Sequence, residues 1–167
     1  DFVVRAAAMA LRQHPFLNAV LERDEIRLLG DVHIGVATAL DDGLVVPVVR
    51  FADQLKLADI AAESARLAKN VRSGSFSAED VSGSTFTVTS LGGQGVDAFT
   101  PILNPPEVAI LGVGRIAEKA VRHGNGVGWR QEMTLSLTID HCVIDGSPGA
   151  EFLGTVCELL AWPPALE

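Results

Sequence analysis

Thr134-Leu135-Ser136-Leu137-Thr138-Ile139-Asp140-His141-Cys142-Val143-Ile144-Asp145-Gly146 is the stretch on which the reading of this chain turns. From Thr134 to Ile139 polar and apolar residues alternate strictly, the pattern of a strand with one buried face. If the strand continues, parity puts His141 on the face of Leu135, Leu137 and Ile139. An imidazole there is either a satisfied core histidine or a base held away from bulk water. A carboxylate, Asp145, follows four residues later, and Gly146 lets the chain turn at once. Beyond it Ser147 and Pro148 read as N-cap and first helical residue. Phe152, Leu153, Val156, Leu159 and Leu160 then form the stripe of an amphipathic helix. The motif thus sits where a strand passes through a loop into a helix, a place suited to holding a reactive group.

Working outward, the chain opens on Asp1 and a helical pattern with Phe2, Val3, Ala6, Met9 and Ala10 on one side. With no initiator Met before it, the domain is expected to be N-terminally truncated. His14-Pro15 ends this helix, and His14 reads as a surface or C-cap histidine. Phe16–Leu21 and Glu25–Leu29 suggest a hairpin around Glu22-Arg23-Asp24. Val32 to Leu40 reads as one strand with His33 structural, Asp41-Asp42-Gly43 as a turn, and Leu44 to Val49 as a strand. In the last, Pro47 demands an edge or a bulge. Leu57 to Val71 is a second amphipathic helix with Ile60, Ser64, Leu67, Ala68 and Val71 inward. Ser77 to Asp80 suits a helical turn, and Ser84 to Ser90 alternates as a strand. Leu91-Gly92-Gly93-Gln94-Gly95 breaks that strand but has neither the Gly-Lys-Ser/Thr ending nor the spacing of a nucleotide loop. Asn104-Pro105-Pro106-Glu107 is a rigid turn into Val108–Gly114, a strand apolar enough to be buried on both faces. Val121 to Gly128 forms a hairpin tipped by Gly124-Asn125-Gly126, with His123 exposed. Cys157 reads as core, and the helix stops at Pro163-Pro164. Together these elements predict an α+β fold, a two-layer sandwich of a mixed sheet with helices on one face.

At 167 residues the chain is one domain, and 48% hydrophobic residues leave more apolar surface than a lone domain should expose, so copies are expected to cover part of it. A net charge of −8 argues against nucleic acid. No apolar run approaches a membrane span. Cys142 and Cys157 fit no metal spacing and suit a reducing compartment.

Four segments in order then resemble one family. They are Gly43–Val49, Phe86-Thr87-Val88-Thr89-Ser90-Leu91-Gly92, Asn104–Gly114 and Asp140–Gly146. The chain resembles the catalytic domain of the dihydrolipoamide acyltransferases, the E2 component of 2-oxoacid dehydrogenase complexes, and more distantly chloramphenicol acetyltransferase. The resemblance implies a chloramphenicol-acetyltransferase-like fold over residues 1–167. It implies His141 as general base, Thr89 as hydroxyl oxyanion donor and Asp145 as orienting carboxylate, with coenzyme A and a lipoyl group as substrates and no metal. It further implies a homotrimer with base and hydroxyl from different subunits. The C-terminal tail from Trp162 to Leu166 would extend this into a cubic or icosahedral core. Partner dehydrogenase components (E1 and E3) would be reached through lipoyl and peripheral-subunit-binding domains that lie outside this chain. The location would be cytoplasmic in a bacterium or the mitochondrial matrix in a eukaryote. The match departs at Cys142, where the family usually has Arg, and the partner of Asp145 and the residues touching coenzyme A are not identifiable.

The chemistry agrees with the residues. Acyl transfer between thiols requires a group to take the attacking thiol's proton, and imidazole, with a pKa near ~6.5 against ~8.5 for a thiol, suits that task. Cys142 beside His141 resembles a nucleophile pair, but neighbours on a strand face opposite sides. Two alternatives stay open: a free-standing coenzyme A-dependent acyltransferase on a small acceptor, and a non-catalytic scaffold. The acyl group reads as acetyl or branched-chain rather than succinyl.

Overall fold

The computed structural model describes residues 1–40, 43–124 and 126–167. The turn at Asp41-Asp42 and the hairpin tip at Asn125 lie outside the described residues. Helix α1 (Phe2–Gln13) buries Val4, Ala6, Ala7, Ala8, Ala10 and Leu11. This run of alanines lets the helix lie close against its neighbours. Phe2, expected inward, is 50% exposed, because the small residues rather than the aromatic one take the packed face. His14 caps the helix, its N–H donating to the Ala10 carbonyl. Its ring also reaches another element, with Nε2 2.8 Å from Thr155 Oγ1 and the edge against Phe152.

Strands β1 (Ala19–Glu22) and β2 (Glu25–Leu28) form the expected hairpin, turning through Arg23 and Asp24, both at positive φ. The expected strand from Val32 to Leu40 divides. Strand β3 (Ile34–Val36) joins the main sheet, and β4 (Thr38–Leu40) leaves to pair with β5 (Gly43–Val45). Ala37, at the break, donates its N–H to Val88 O. The second stretch divides likewise at Val46-Pro47, and β6 (Val48–Val49) becomes the sheet's edge, where a proline is tolerated.

Helix α2 (Leu57–Arg72) packs through Ile60, Leu67 and Val71. Strands β7 (Phe86–Ser90), β8 (Ala109–Val113) and β11 (Leu135–Ile139) complete a five-stranded mixed sheet in the order β11-β8-β7-β3-β6. β8 is buried along its whole length, as its composition predicts. Strands β9 (Ala117–His123) and β10 (Gly126–Glu132) make a longer hairpin than expected, carrying exposed Val127 and Trp129.

Helix α3 (Gly146–Ala161) starts two residues earlier than expected, with Asp145 at the N-cap and Ser147 bonded to Glu151 instead. Phe152 and Val156 are buried, but Cys157 is exposed, since it lies one residue past Val156 and off the packed stripe. The tail forms a short 3₁₀ turn (Pro163–Leu166) and buries Leu166 in the chain's own core, leaving Trp162 outside.

The core lies between the sheet and the three helices, which share one face, in agreement with the α+β two-layer reading. Alternation then assigns sides. Phe86 and Val88 point to the helices, and Phe86 packs on Phe152 with ring centroids 5.4 Å apart. Thr87 and Thr89 consequently face away from the helices. On that outer face the segment 99–104 lies close over the sheet. A Cβ at Gly112 would come within 3.1 Å of Phe99 and Pro101, and Thr138 Oγ1 donates to Pro101 O at 2.6 Å.

Candidate active site

Thr89 stands on β7 in the middle of the sheet, half-buried, on the face away from the helices. It lines a cleft of about 390 Å³ with Leu44, Val46, Thr87, Ile110 and the segment 99–104. No charged residue lines that cleft among the described residues.

His141 is placed otherwise than strand parity would have it. β11 ends at Ile139, and the chain then turns tightly: Val143 and Ile144 both donate to Asp140 O, and Asp140 Oδ1 accepts the Cys142 N–H at 2.9 Å. The asparate side chain caps its own turn, so the alternation stops two residues before His141. The imidazole is not sheltered by the apolar face. Its side chain is 74% exposed and that of Asp145 86%, with Nδ1 and Oδ1 3.6 Å apart. At that distance the two side chains are neighbours without a hydrogen bond. Asp140 also bears on Cys142: its carboxylate accepts from the thiol and its negative charge pushes the thiol's pKa up. This environment opposes the thiolate that a nucleophile pair would need.

A single chain does not bring Thr89 and His141 together. Thr89 is opposite Gly112, and Gly112 opposite Ser136. His141 lies two strands across and five residues further on, roughly 15–20 Å away at about 4.8 Å per strand and about 3.4 Å per residue.

Three polar residues beside the cleft escaped the sequence reading. Glu107, only 4% exposed, sits at the entry to β8. Its Oε2 accepts from Thr87 Oγ1 at 2.6 Å, and its Oε1 accepts from Asn104 Nδ2 at 3.1 Å and from the Ser84 hydroxyl. Burial raises the carboxyl's pKa, and the three donors pull against that rise. The available signal was a charged residue leading directly into the apolar run Val108–Gly114, downstream of a strand rich in hydroxyls. A second cleft of about 740 Å³ adjoins the Asn104–Glu107 turn, shares Leu44, Val46 and Asn104 with the first, and is lined among others by Arg27, Asp31 and His33. It contains neither Thr89 nor His141. Among the described residues no cluster of His, Cys, Asp or Glu could hold a metal ion.

A family model described as 2-oxoacid dehydrogenases acyltransferase (catalytic domain) matches residues 1–166. The chain belongs to that family. It is 45% identical over 165 residues to the dihydrolipoyllysine-residue acetyltransferase component of the acetoin cleaving system of Bacillus subtilis, covering 99% of this chain and 42% of that protein. It is also 45% identical over 167 residues to the lipoamide acyltransferase component of the branched-chain alpha-keto acid dehydrogenase complex of Pseudomonas aeruginosa, covering 99% and 39%. The chain thus spans about two fifths of the curated relatives it matches. Among solved structures, the cubic core of the pyruvate dehydrogenase multienzyme complex superposes with a TM-score of 0.93 at 41% identity, covering 98% of this chain and 68% of that one. The Azotobacter vinelandii dihydrolipoamide acetyltransferase does so with 0.93 at 40%, covering 98% and 68%, in work on the role of a serine, a histidine and an asparagine in its catalytic mechanism. Chloramphenicol acetyltransferase, at 16% identity and a TM-score of 0.63 over 95% of this chain and 76% of that one, shares the fold. The family and the fold expected from the four ordered segments are therefore both met.

Proposed function

We propose that this domain transfers an acyl group between a dihydrolipoyl thiol and coenzyme A, at a site built between neighbouring subunits of a homotrimer. His141 is the general base, Thr89 the oxyanion donor, and Asp145 holds the imidazole's orientation. The carrying observation is the placement of the two groups: a half-open hydroxyl cleft and an exposed imidazole, roughly 15–20 Å apart in one chain by the sheet's spacing. A second copy can supply what each lacks. The serine, histidine and asparagine named for the Azotobacter vinelandii enzyme follow one another at the intervals separating Thr89, His141 and Asp145 here.

His141 takes the proton of the coenzyme A thiol as its sulfur attacks the acyl-dihydrolipoyl carbonyl. Thr89 donates its hydroxyl hydrogen to the carbonyl oxygen as negative charge builds there. When the bond to the lipoyl sulfur breaks, His141 returns the proton to that sulfur, and the site ends as it began. Closing a partner over His141 excludes water, which strengthens the hydroxyl's contribution and protects the thioester. The uncharged walls of the Thr89 cleft favour an acetyl or branched-chain acyl group, because among the described residues no cation lines it to meet a succinyl carboxylate. The lipoyl group is carried on a domain outside these 167 residues, and the trimers join into a larger core that works with the E1 and E3 components.

The test is complementation. His141→Ala and Thr89→Val chains are each expected to be inactive, and mixing them under conditions of subunit exchange should restore part of the activity. Some interfaces would then carry both wild-type groups. No recovery after verified exchange would place both groups in one chain's own site and overturn the interface reading.

A further inference from the structure

We infer that Glu107 is a positioning residue of this site, holding the strand that bears Thr89 and the wall of its cleft through one buried carboxylate. The inference rests on the acyltransferase reading above. Three donors converge on Glu107: the hydroxyls of Ser84 and Thr87 and the amide of Asn104. The amide also lies 3.3 Å from Thr87 Oγ1, so Asn104 donates to Thr87 and Thr87 passes its own hydrogen to Glu107. Among the described residues no cation pairs with this carboxylate. Burying an ionisable group with only neutral donors around it is a costly way to pack two strands, where apolar side chains would serve.

The geometry says what the arrangement achieves. Thr87 is two residues before Thr89 on β7, so the two side chains share a face, and both line the cleft together with Asn104. Anchoring Thr87 sets the level and rotation of the strand at Thr89. It also keeps the Thr87 hydroxyl turned to Glu107, where it cannot compete with Thr89 for a substrate oxygen. Asn104, held by the same carboxylate, begins the turn that leads into β8, and Glu107 N–H donates back to Asn104 O at 3.0 Å. The next residue, Val108, accepts the N–H of Asp140 at 2.8 Å, immediately before His141. One residue at the entry to β8 therefore braces the hydroxyl strand through its side chain, while its neighbour braces the histidine turn through the backbone.

The experiment uses the full-length protein, assayed for acyl transfer with coenzyme A as the varied substrate. Glu107→Ala and Thr87→Val are expected to lower kcat by about 10- to 100-fold, the scale on which a small misplacement acts, with KM for coenzyme A nearly unchanged. Glu107→Gln keeps an acceptor for Ser84 and Asn104 and can still hold Thr87, its Nε2 donating to the Thr87 oxygen in place of the reverse bond, so its loss is expected to be smaller than that of Glu107→Ala. The double variant Glu107→Ala/Thr87→Val should be little worse than either single one, since both break one network. Melting temperature and oligomeric state are recorded for each variant. If Glu107→Ala does not fold, Thr87→Val alone decides. Folded, assembled variants with kcat within about twofold of wild type would overturn the inference, whatever their loss of stability. The underlying reading fails separately: wild-type protein without acyl transfer, or with activity unaffected by His141→Ala, sinks it before Glu107 is reached.

Discussion

His141 shows how far a residue's neighbours along the chain can mislead about its surroundings. Alternation from Leu135 to Ile139 is real, and those side chains do pack on the helices. The property that ends it belongs to Asp140, whose carboxylate binds the Cys142 N–H and turns the backbone before parity can carry the imidazole inward. In the proposed mechanism His141, as the base, is essential in a way Asp145 is not. His141→Ala should lower transfer by ~10²–10⁴, the usual worth of general acid–base catalysis. Asp145→Asn should retain most activity, since both side chains are exposed and 3.6 Å apart, and an amide of the same shape can hold the imidazole as well as the carboxylate does. Assay of both in the assembled protein checks the contrast. At Thr89 only the hydroxyl matters to the proposed chemistry. Thr89→Ser should be nearly silent, whereas Thr89→Val should lower kcat by ~10²–10³, and equal damage from both would show that packing of the methyl group is what counts. The residues proposed to carry the chemistry could be named from the sequence because they sit in ordered motifs. Glu107, Thr87 and Asn104 could not, because a network between residues 84, 87, 104 and 107 exists only once β7 and β8 are side by side.

At the scale of elements, strand pattern foretold which segments are extended but not which sheet each joins. Val32 to Leu40 is uniformly strand-like, yet its two halves pair with different partners. The reason is that Ala37 is claimed by Val88 O, a contact made by tertiary structure. Gly35 belongs to the same device: a Cβ there would stand 2.6 Å from Val46 Cγ1 and 3.1 Å from Thr87 Oγ1, so a side chain at this point of β3 would push on the neighbouring side chains. Just before β3, His33 Nδ1 accepts the N–H of Phe51 at 3.0 Å, and the two rings meet edge to face. That bond requires an unprotonated Nδ1. Burial first, and the Arg50 charge second, hold the imidazole's pKa below its ordinary value. A histidine with a depressed folded-state pKa binds fewer protons folded than unfolded. Its contribution is thus whole above the unfolded value of about 6.5 and is lost as pH falls through the folded one. Thermal melts should show wild-type stability declining from pH 7 toward pH 5 more steeply than that of His33→Gln, whose side chain does not titrate. Parallel slopes would remove His33 from the account.

For the whole molecule, the excess of apolar composition finds a partial address. Val127 and Trp129 stand out on the β9–β10 hairpin, Ile102 on the segment over the sheet, and Trp162 past α3, all largely exposed. In the tail, Leu166 packs in the chain's own core and Trp162 is the group that faces outward. Restoring activity by mixing His141→Ala with Thr89→Val chains is the measurement that belongs here, and the yield should follow the fraction of mixed interfaces. The tight turn after Ile139 then has a kinetic meaning. If the site is completed between subunits as proposed, the imidazole left in open water gains its competence not when a chain finishes folding but when it meets another. Turnover per chain should therefore fall on dilution while the circular dichroism of the chain stays the same.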